Sequence, residues 1–580
     1  MNRVSGFEFL PNELYHRIQE QIFENKTLLS LILVSKHFYS AFLPYIYHYV
    51  NSLALGTLAL SDNERFPLGP HPATFVKEMS FEIPYRKKRI ISVADAPDEE
   101  ETESGGMNWK EKEIGPTELL SLQKQLTAAI RNIRAHASSS AVRRFTYSCS
   151  ALSLPDAFGN VEFAEFGALK DVGVFCSFPS RNLRKSLAML KALCSASTLT
   201  GLELIFPRLE HAPDSTTQAK ILLQTAKTCP NLKRLAIGIP RMDPKNLPSH
   251  SPEHVQRALD NPEFTFSALR LFAFSDFGLN PGKRALDCTS FFRRHPTIEW
   301  LEFNSSESIN HPSHGGGSAP DILPNLKIFH GYLEDYISLC TESRPINEIS
   351  LSLLDLDEEE PLFEGALKEN KTLRRLFMHD HRLPYTVGRD MPGYSVEVLR
   401  KITDSSPGLT HFDCWADCEA SRAEHLRSLY RMLATNLPNL THLRMVMCLP
   451  IEGDTAFSIN EVGLQPYIHD LREAHLDALN WAMRGHGGFK TARVEIYALL
   501  DKSYLNGMFY FMKKGRVRVS GDEEREGGEG KGGKERKEEG EEGQGQGQGQ
   551  LERRKEIVLV PKEDWLMYRR DALENPSVRI

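Results

Sequence analysis

The clearest order in this chain is a recurring spacing of apolar residues. A six-residue pattern, apolar-x-x-apolar-x-apolar, starts at Val50 (VNSLAL), Val76 (VKEMSF), Val142 (VRRFTY), Leu169 (LKDVGV), Leu199 (LTGLEL), Leu232 (LKRLAI) and Leu269 (LRLFAF). It continues at Ile298 (IEWLEF), Ile346 (INEISL), Leu373 (LRRLFM), Leu409 (LTHFDC) and Leu440 (LTHLRM), with a weaker copy at Leu326 (LKIFHG) and a degenerate one at Thr491 (TARVEI). From Val142 to Leu440 successive starts lie 20 to 37 residues apart and cluster near 30. One such match arises easily by chance; a run of them at one period does not. The alternation predicts one short strand per copy. Its fourth and sixth residues point inward, and the first packs where the strand begins.

Between the strands, Asn182–Ala196, Thr216–Thr228, Val396–Thr403 and Glu419–Leu433 carry apolar residues at helical spacing, as in Leu183, Leu187, Leu190 and Leu193. Pro-x-Leu junctions such as Pro230-Asn-Leu and Pro438-Asn-Leu end a helix and open the next strand, because Pro cannot continue a helix. A strand-plus-helix unit of this length cannot bury its own apolar face, whereas stacked neighbours can. The fold class expected is therefore α/β, a curved parallel sheet with helices outside. An ordinary α/β domain with several parallel strands is the alternative. Over roughly residues 50–500 the copies resemble irregular leucine-rich repeats of the intracellular kind, although the Asn or Cys that family places at the strand exit is mostly missing.

The expected organisation is an N-terminal module over 1–50, a solenoid over 51–515 and a C-terminal region over 516–580. Two segments interrupt the solenoid. One, 86–115, runs from RKKR into DAPDEEETESGG and reads as a solvated insertion; the other, 304–321, is a Gly/Ser/Pro loop. Residues 521–556 are low in complexity and nearly free of apolar side chains, so they cannot repay their ordering entropy. They separate RVRVS (516–520) from EIVLVP (556–561), two alternating runs that suit a hairpin, and WLMYRRDAL beyond reads as a short closing helix.

The first fifty residues concentrate apolar side chains. Leu10, Leu14, Ile18 and Ile22 recur every four residues behind Pro11, which suits a first helical turn. Leu28, Leu29, Leu31, Ile32 and Leu33 form a second cluster. Ser35 suits the N-cap of a third helix carrying Phe38, Tyr39 and Phe42 and stopped by Pro44. About forty residues are too few to bury this much apolar surface unaided, so another domain or another protein must cover some of it. The LP-x-E-L-x-x-x-I opening, the LVSK-x-F centre and the P-x-x-Y-x-x-V exit resemble an F-box. That three-helix module docks substrate receptors on the Skp-family adaptor of Skp–cullin–F-box ubiquitin ligases. The resemblance implies that Leu10, Pro11, Leu14 and Ile18 face the adaptor. It makes Leu31, Val34, Ser35, Phe38 and Phe42 the second contact and the small core. A helical cap on the first repeat would use the same residues intramolecularly, and one face could do each.

Composition narrows the function classes. The 580 residues suggest about four domains' worth of chain. With 70 Lys+Arg against 77 Asp+Glu, net charge −7 and pI near 6.3, nothing favours general electrostatic binding to nucleic acid. The longest apolar stretch, Leu28–Val34, is far below the length of a membrane helix. The N-terminus lacks the features of a signal peptide, so an intracellular protein, cytoplasmic or nuclear, with reduced core cysteines is expected. No G-x-S-x-G, Walker loop or H-E-x-x-H occurs, and no cofactor or metal is implied.

The strand positions beside the inward residues offer a surface instead. In the middle and later copies these are Trp300, His330, Tyr332, Arg375, Phe377, His379, His411, Trp415, His442 and Arg444, together with Glu302 and Asp413. Aromatic and Arg side chains dominate binding hot spots, so a substrate protein is expected to dock there. The same aromatics could instead pack as ladders between neighbouring strands. The histidines at 330, 379, 411 and 442 should come close across strands and make binding sensitive to pH near 6.5. The expected function is a non-catalytic, substrate-recognition subunit of a ubiquitin ligase. Its partners would be the adaptor, through it cullin and RING subunits, and a target protein. A repeat scaffold without ubiquitin transfer is the alternative.

Overall fold

The computed structural model describes residues 14–15, 17–18, 25–60, 70–83, 86–90, 109–113, 115–137, 141–149, 157–158, 166–175, 183–205, 212–239, 253–276, 287–304, 322–339, 344–351, 356–378, 394–416, 423–450, 461–483, 486–500, 503–515 and 555–559. They fall into two compact units, Met1–Gly388 and Arg389–Ile580. Both are α/β. No helix among the described residues is long and apolar enough to cross a membrane.

In the first unit each apolar copy becomes a strand. These are β1 (Tyr49–Asn51), β2 (Glu78–Ile83), then an antiparallel pair β3 (Arg86–Ile90) and β4 (Trp109–Glu113), then β5 (Arg144–Cys149), β6 (Asp171–Phe175) and β7 (Gly201–Ile205). The series continues through β8 (Arg234–Ile239), β9 (Leu271–Asp276), β10 (Trp300–Asn304), β11 (Ile328–Gly331), β12 (Glu348–Leu351) and β13 (Arg375–Met378). Apart from β3 and β4, consecutive strands pair in parallel in chain order. The inward positions are those the spacing predicted: Leu169, Val172 and Val174 are all buried. Helices cover that face, with the Phe272 and Phe291 ring centroids 4.8 Å apart and those of Phe329 and Tyr336 5.9 Å apart.

One carbonyl per copy ties each strand to the next. The Lys233 carbonyl accepts from both Arg270 N (2.8 Å) and Leu271 N (3.0 Å), and the Arg270 carbonyl accepts from Glu299 N and Trp300 N in the same way. A threonine often adds a third bond, as where Thr297 Oγ1 donates to the Leu269 carbonyl at 2.7 Å and Thr372 Oγ1 to that of Ile346 at 2.8 Å. Gly201 lets an ion pair pass over its strand. Arg234 Nη2 meets Asp171 Oδ1 at 3.1 Å across it, and a Cβ on Gly201 would lie 2.2 Å from that oxygen.

Several expectations change. VNSLAL is a strand only over Tyr49–Asn51; its remainder turns into a 3-10 segment, Ser52–Ala54, and a helical turn, Leu55–Leu58. The 86–115 insertion is not wholly irregular, because β3 and β4 pair from Arg86↔Glu113 to Ile90↔Trp109. The third N-terminal helix, Lys36–Ile46, passes through Pro44. Pro44 falls in the last turn, so the missing N–H costs one bond and the helix ends shortly after. The weaker copy at Leu326 yields a full strand, β11, paired with β12 in register Ile328↔Glu348.

The second unit holds β14 (His411–Ala416), β15 (His442–Pro450) and β16 (Thr491–Leu500), all parallel. Two antiparallel strands follow, β17 (Ser503–Gly515) and β18 (Lys555–Leu559). β18 pairs with 511–515; RVRVS, the expected partner of EIVLVP, lies outside the described residues. Lys555 and Glu556, at the end of the low-complexity tract, belong to β18. The 305–321 loop, 521–554 and the WLMYRRDAL helix also lie outside the described residues.

Candidate binding surfaces

The N-terminal module has an interior of its own. Tyr15, Leu28, Phe38 and Phe42 form a buried cluster, with Ile18, Leu31, Ile32 and Tyr45 partly buried against it. Tyr15 meets Phe42 edge-on at 5.5 Å, and its hydroxyl is 2.9 Å from His37 Nε2. Ser35 caps the helix, its Oγ accepting from Phe38 N at 3.2 Å. Of the residues expected at an adaptor surface, Phe38 and Phe42 fall in this interior and Ser35 serves as the cap. Leu14 and Val34 are left outside, 40% and 68% exposed, and with them Leu29 at 47% and Leu33 at 84%. Leu10 and Pro11 lie outside the described residues. Four large apolar side chains on so small a module leave it an uncovered apolar surface.

The strand face away from the helices in the first unit gathers several of the predicted side chains. Register places Trp300, Ile328, Glu348 and Arg375 in one row and Glu302, His330, Ser350 and Phe377 in the next. The Trp300 and His330 rings meet edge-on at 5.4 Å. His330 Nε2 lies 3.4 Å from Glu348 Oε1, and Arg375 pairs with the other carboxylate oxygen. Glu348 is fully buried, so its charge is tolerable only between such partners. Trp300 is 8% exposed, and its buried indole Nε1 finds no hydrogen-bond partner among the described residues. Tyr332 stands just past the end of β11, half-buried like Phe377. His379 lies outside the described residues.

Further along the same face, burial raises the Glu203 carboxyl above the ordinary range; Arg234 opposes this, Glu302 adds to it, and Arg144 opposes it. Ala236 and Ala273 occupy the register between Glu203 and Glu302, so no bulky side chain separates the two acids.

In the second unit, His411 and His442 stack face to face on adjacent strands, 4.2 Å apart and 11° from parallel. Thr441 Oγ1 donates its one proton to the Thr410 carbonyl (2.8 Å), so at 2.7 Å it accepts from His442 Nδ1. Asp413 and Arg444 are an ion pair at 2.9 Å, and Trp415 is as buried as Trp300. Behind the sheet, the Tyr430 hydroxyl holds His475 Nδ1 at 2.7 Å, and burial pushes that imidazole down to about 3.

Histidines were expected to cluster. His411 and His442 do, whereas His330 pairs with a carboxylate instead. That carboxylate, Glu348, is the residue sequence reasoning missed. It is the third residue of the Ile346 copy, the position that holds Trp300 and Arg375 in other copies, so register alone could have found it. Among the described residues no three His, Cys, Asp or Glu gather closely enough to hold a metal ion. In each unit the strand face holds both kinds of residue. Glu348–Arg375 pairs internally in the first unit, where Tyr332 and Phe377 keep partial exposure. The His411–His442 stack and the Asp413–Arg444 pair are internal in the second, where Arg444 keeps partial exposure. No protein-family model matches the chain, and no curated protein does.

Proposed function

We propose that the chain is a non-catalytic substrate receptor of a ubiquitin ligase. The N-terminal helices are an F-box that docks on a Skp-family adaptor. The strand array is an irregular leucine-rich-repeat solenoid whose open face holds a target protein. The chain makes no bond itself; it brings target lysines to a conjugating enzyme carried by the cullin and RING subunits, which is catalysis by proximity. The observation that carries this reading is the surplus apolar surface on a module that already has an interior. Tyr15, Leu28, Phe38 and Phe42 complete that interior, so the exposed Leu14, Leu29, Leu33 and Val34 are not needed to hold the module together.

The experiment is co-purification of the full chain with a Skp-family adaptor, wild type against Leu14→Ser/Leu33→Ser/Val34→Ser. Capture by wild type and loss in the variant, with the melting midpoint kept, is the expected result. A folded wild type that captures no adaptor sinks the reading. Adaptor binding without cullin association or target turnover would make the chain a scaffold instead.

A further inference from the structure

The second residue of each apolar copy sits at the rim where the chain runs into the strand. In the first unit, after His48 ahead of β1, this rim carries Lys77, Arg143 and Lys170 on three successive strands. Backbone bonds fix them side by side: Arg143 N donates to the Lys77 carbonyl and Lys170 N to that of Arg143, each at 2.7 Å. Thr200 follows, then Lys233, joined in the same way at 2.7 and 2.8 Å. All four cations are exposed, and among the described residues none has an ion pair or a side-chain hydrogen bond. Farther along, Arg270 and Lys327 flank Glu299 and both pair with it, at 3.3 and 3.1 Å. The two stretches therefore differ: the later cations are partly neutralised, the earlier ones are not.

Neighbouring strands stand about 4.8 Å apart, so Lys77 to Lys233 spans roughly 19 Å. Cations on adjacent strands, one strand spacing apart, lie within a screening length of about 8 Å and destabilise the free protein. An anion laid along the rim removes that repulsion.

We infer that this rim binds an extended acidic segment of a partner protein. A peptide rising about 3.3 Å per residue covers the unpaired stretch with roughly six residues. The row is one side chain wide, which suits a single strand of carboxylates. The next row, Glu78, Arg144, Asp171 and Arg234, balances two acids against two bases, with Asp171 paired to Arg234. The excess positive charge is therefore confined to the one-residue-wide rim, and a broader polyphosphate gains nothing beyond it; the whole chain carries a net charge of −7. This surface is independent of adaptor docking, and its failure would leave that reading untouched.

The test is fluorescence anisotropy of a short labelled polyglutamate peptide with the full-length protein, at low and high salt. A single-stranded oligonucleotide of equal charge is the comparison probe. Wild type should bind the peptide, lose it as salt rises, and prefer it to the oligonucleotide. Lys77→Ser/Arg143→Ser/Lys170→Ser/Lys233→Ser should bind roughly tenfold more weakly, with the melting midpoint kept or raised. Arg270→Ser/Lys327→Ser should lose less, and Lys170→Glu alone gives a second reading should the quadruple variant not fold. Equal binding by wild type and the rim variants overturns the proposal, as does no binding at low salt. Preference for the oligonucleotide overturns the peptide assignment. Markedly tighter peptide binding after deletion of residues 95–103 would make this chain's own acidic run the occupant, and overturn a partner segment.

Discussion

The strand array and the N-terminal helices place their apolar residues differently. In the array, the first, fourth and sixth residues of copy after copy are buried: Ile298, Leu301 and Phe303 in one, Leu373, Leu376 and Met378 in another. In the helices, Leu28 is buried while its neighbour Leu29 is half exposed, and Leu33 and Val34 stand almost free. The array satisfies itself because every copy has a neighbour to stack on. On the module, Leu14, Leu29, Leu33 and Val34 stay exposed, and among the described residues no element stacks over them. Apolar spacing thus predicts stability in one region and an unmet partner in the other.

The comparison breaks most sharply at a core position of the array. Phe303, ring to ring with Phe274 at 5.5 Å, should cost about 3–5 kcal/mol on replacement by Ala, read from the denaturation midpoint. A loss below about 1 kcal/mol would mean that the array is loosely packed and the contrast false.

The next largest effect tests the buried ion pair. Glu348 has no exposed side-chain surface, whereas Arg375 keeps 22%. Arg375→Ala removes the cation that pairs with a fully buried carboxylate and should cost about 3 kcal/mol. Glu348→Ala leaves an Arg that can turn toward water and should cost less. The opposite ranking in chemical denaturation would show that Glu348, not Arg375, can reach water.

Acid should weaken the array through its buried histidines. His295 donates from Nδ1 to the Phe291 carbonyl at 2.7 Å and accepts Phe266 N on Nε2 at 2.9 Å, leaving no place for a second proton. Burial is the main cause that lowers it from 6.5 to about 4, and nearby Arg294 adds to this against the pull of the Phe291 carbonyl. Above pH 6.5 neither state carries the proton, so this group makes stability flat. Between 6.5 and 4 the unfolded chain gains a proton that the folded one refuses, so stability falls as pH falls, by about 3 kcal/mol in total. Melts across that window should show the slope, and His295→Leu should flatten it while lowering the plateau. His475 continues the loss to lower pH in the second unit. An unchanged slope in His295→Leu would assign the acid sensitivity elsewhere.

The smallest effect on stability belongs to the module's surface. Leu33→Ser and Val34→Ser should each shift the midpoint by no more than about 0.5 kcal/mol. If either unfolds the module, its apolar surplus is internal packing after all.

Much of the array was legible because burial repeats along the chain. The Leu326 copy ends in Gly331 rather than a large apolar residue, yet its Leu326 and Phe329 were enough to mark a strand. The alternation of EIVLVP announced a strand, whereas 503–515, part of which pairs with it, is too irregular for a period-two reading. Pro44 misled because a proline's cost depends on which turn of the helix it occupies, which residue type does not reveal.

The sequence by itself determined which residues go inside. Period and apolarity are properties of the chain, and the hydrophobic effect acts on them wherever neighbours can stack. Only the tertiary structure decided what meets what on the other face. Glu348 lies 18 residues from His330 and 27 from Arg375 in the chain, and strand register alone makes them partners. The same register stacks His411 on His442 and sets Lys77, Arg143 and Lys170 side by side. Polar contacts are short-ranged and directional, so they follow the pairing of strands rather than the spacing of residues.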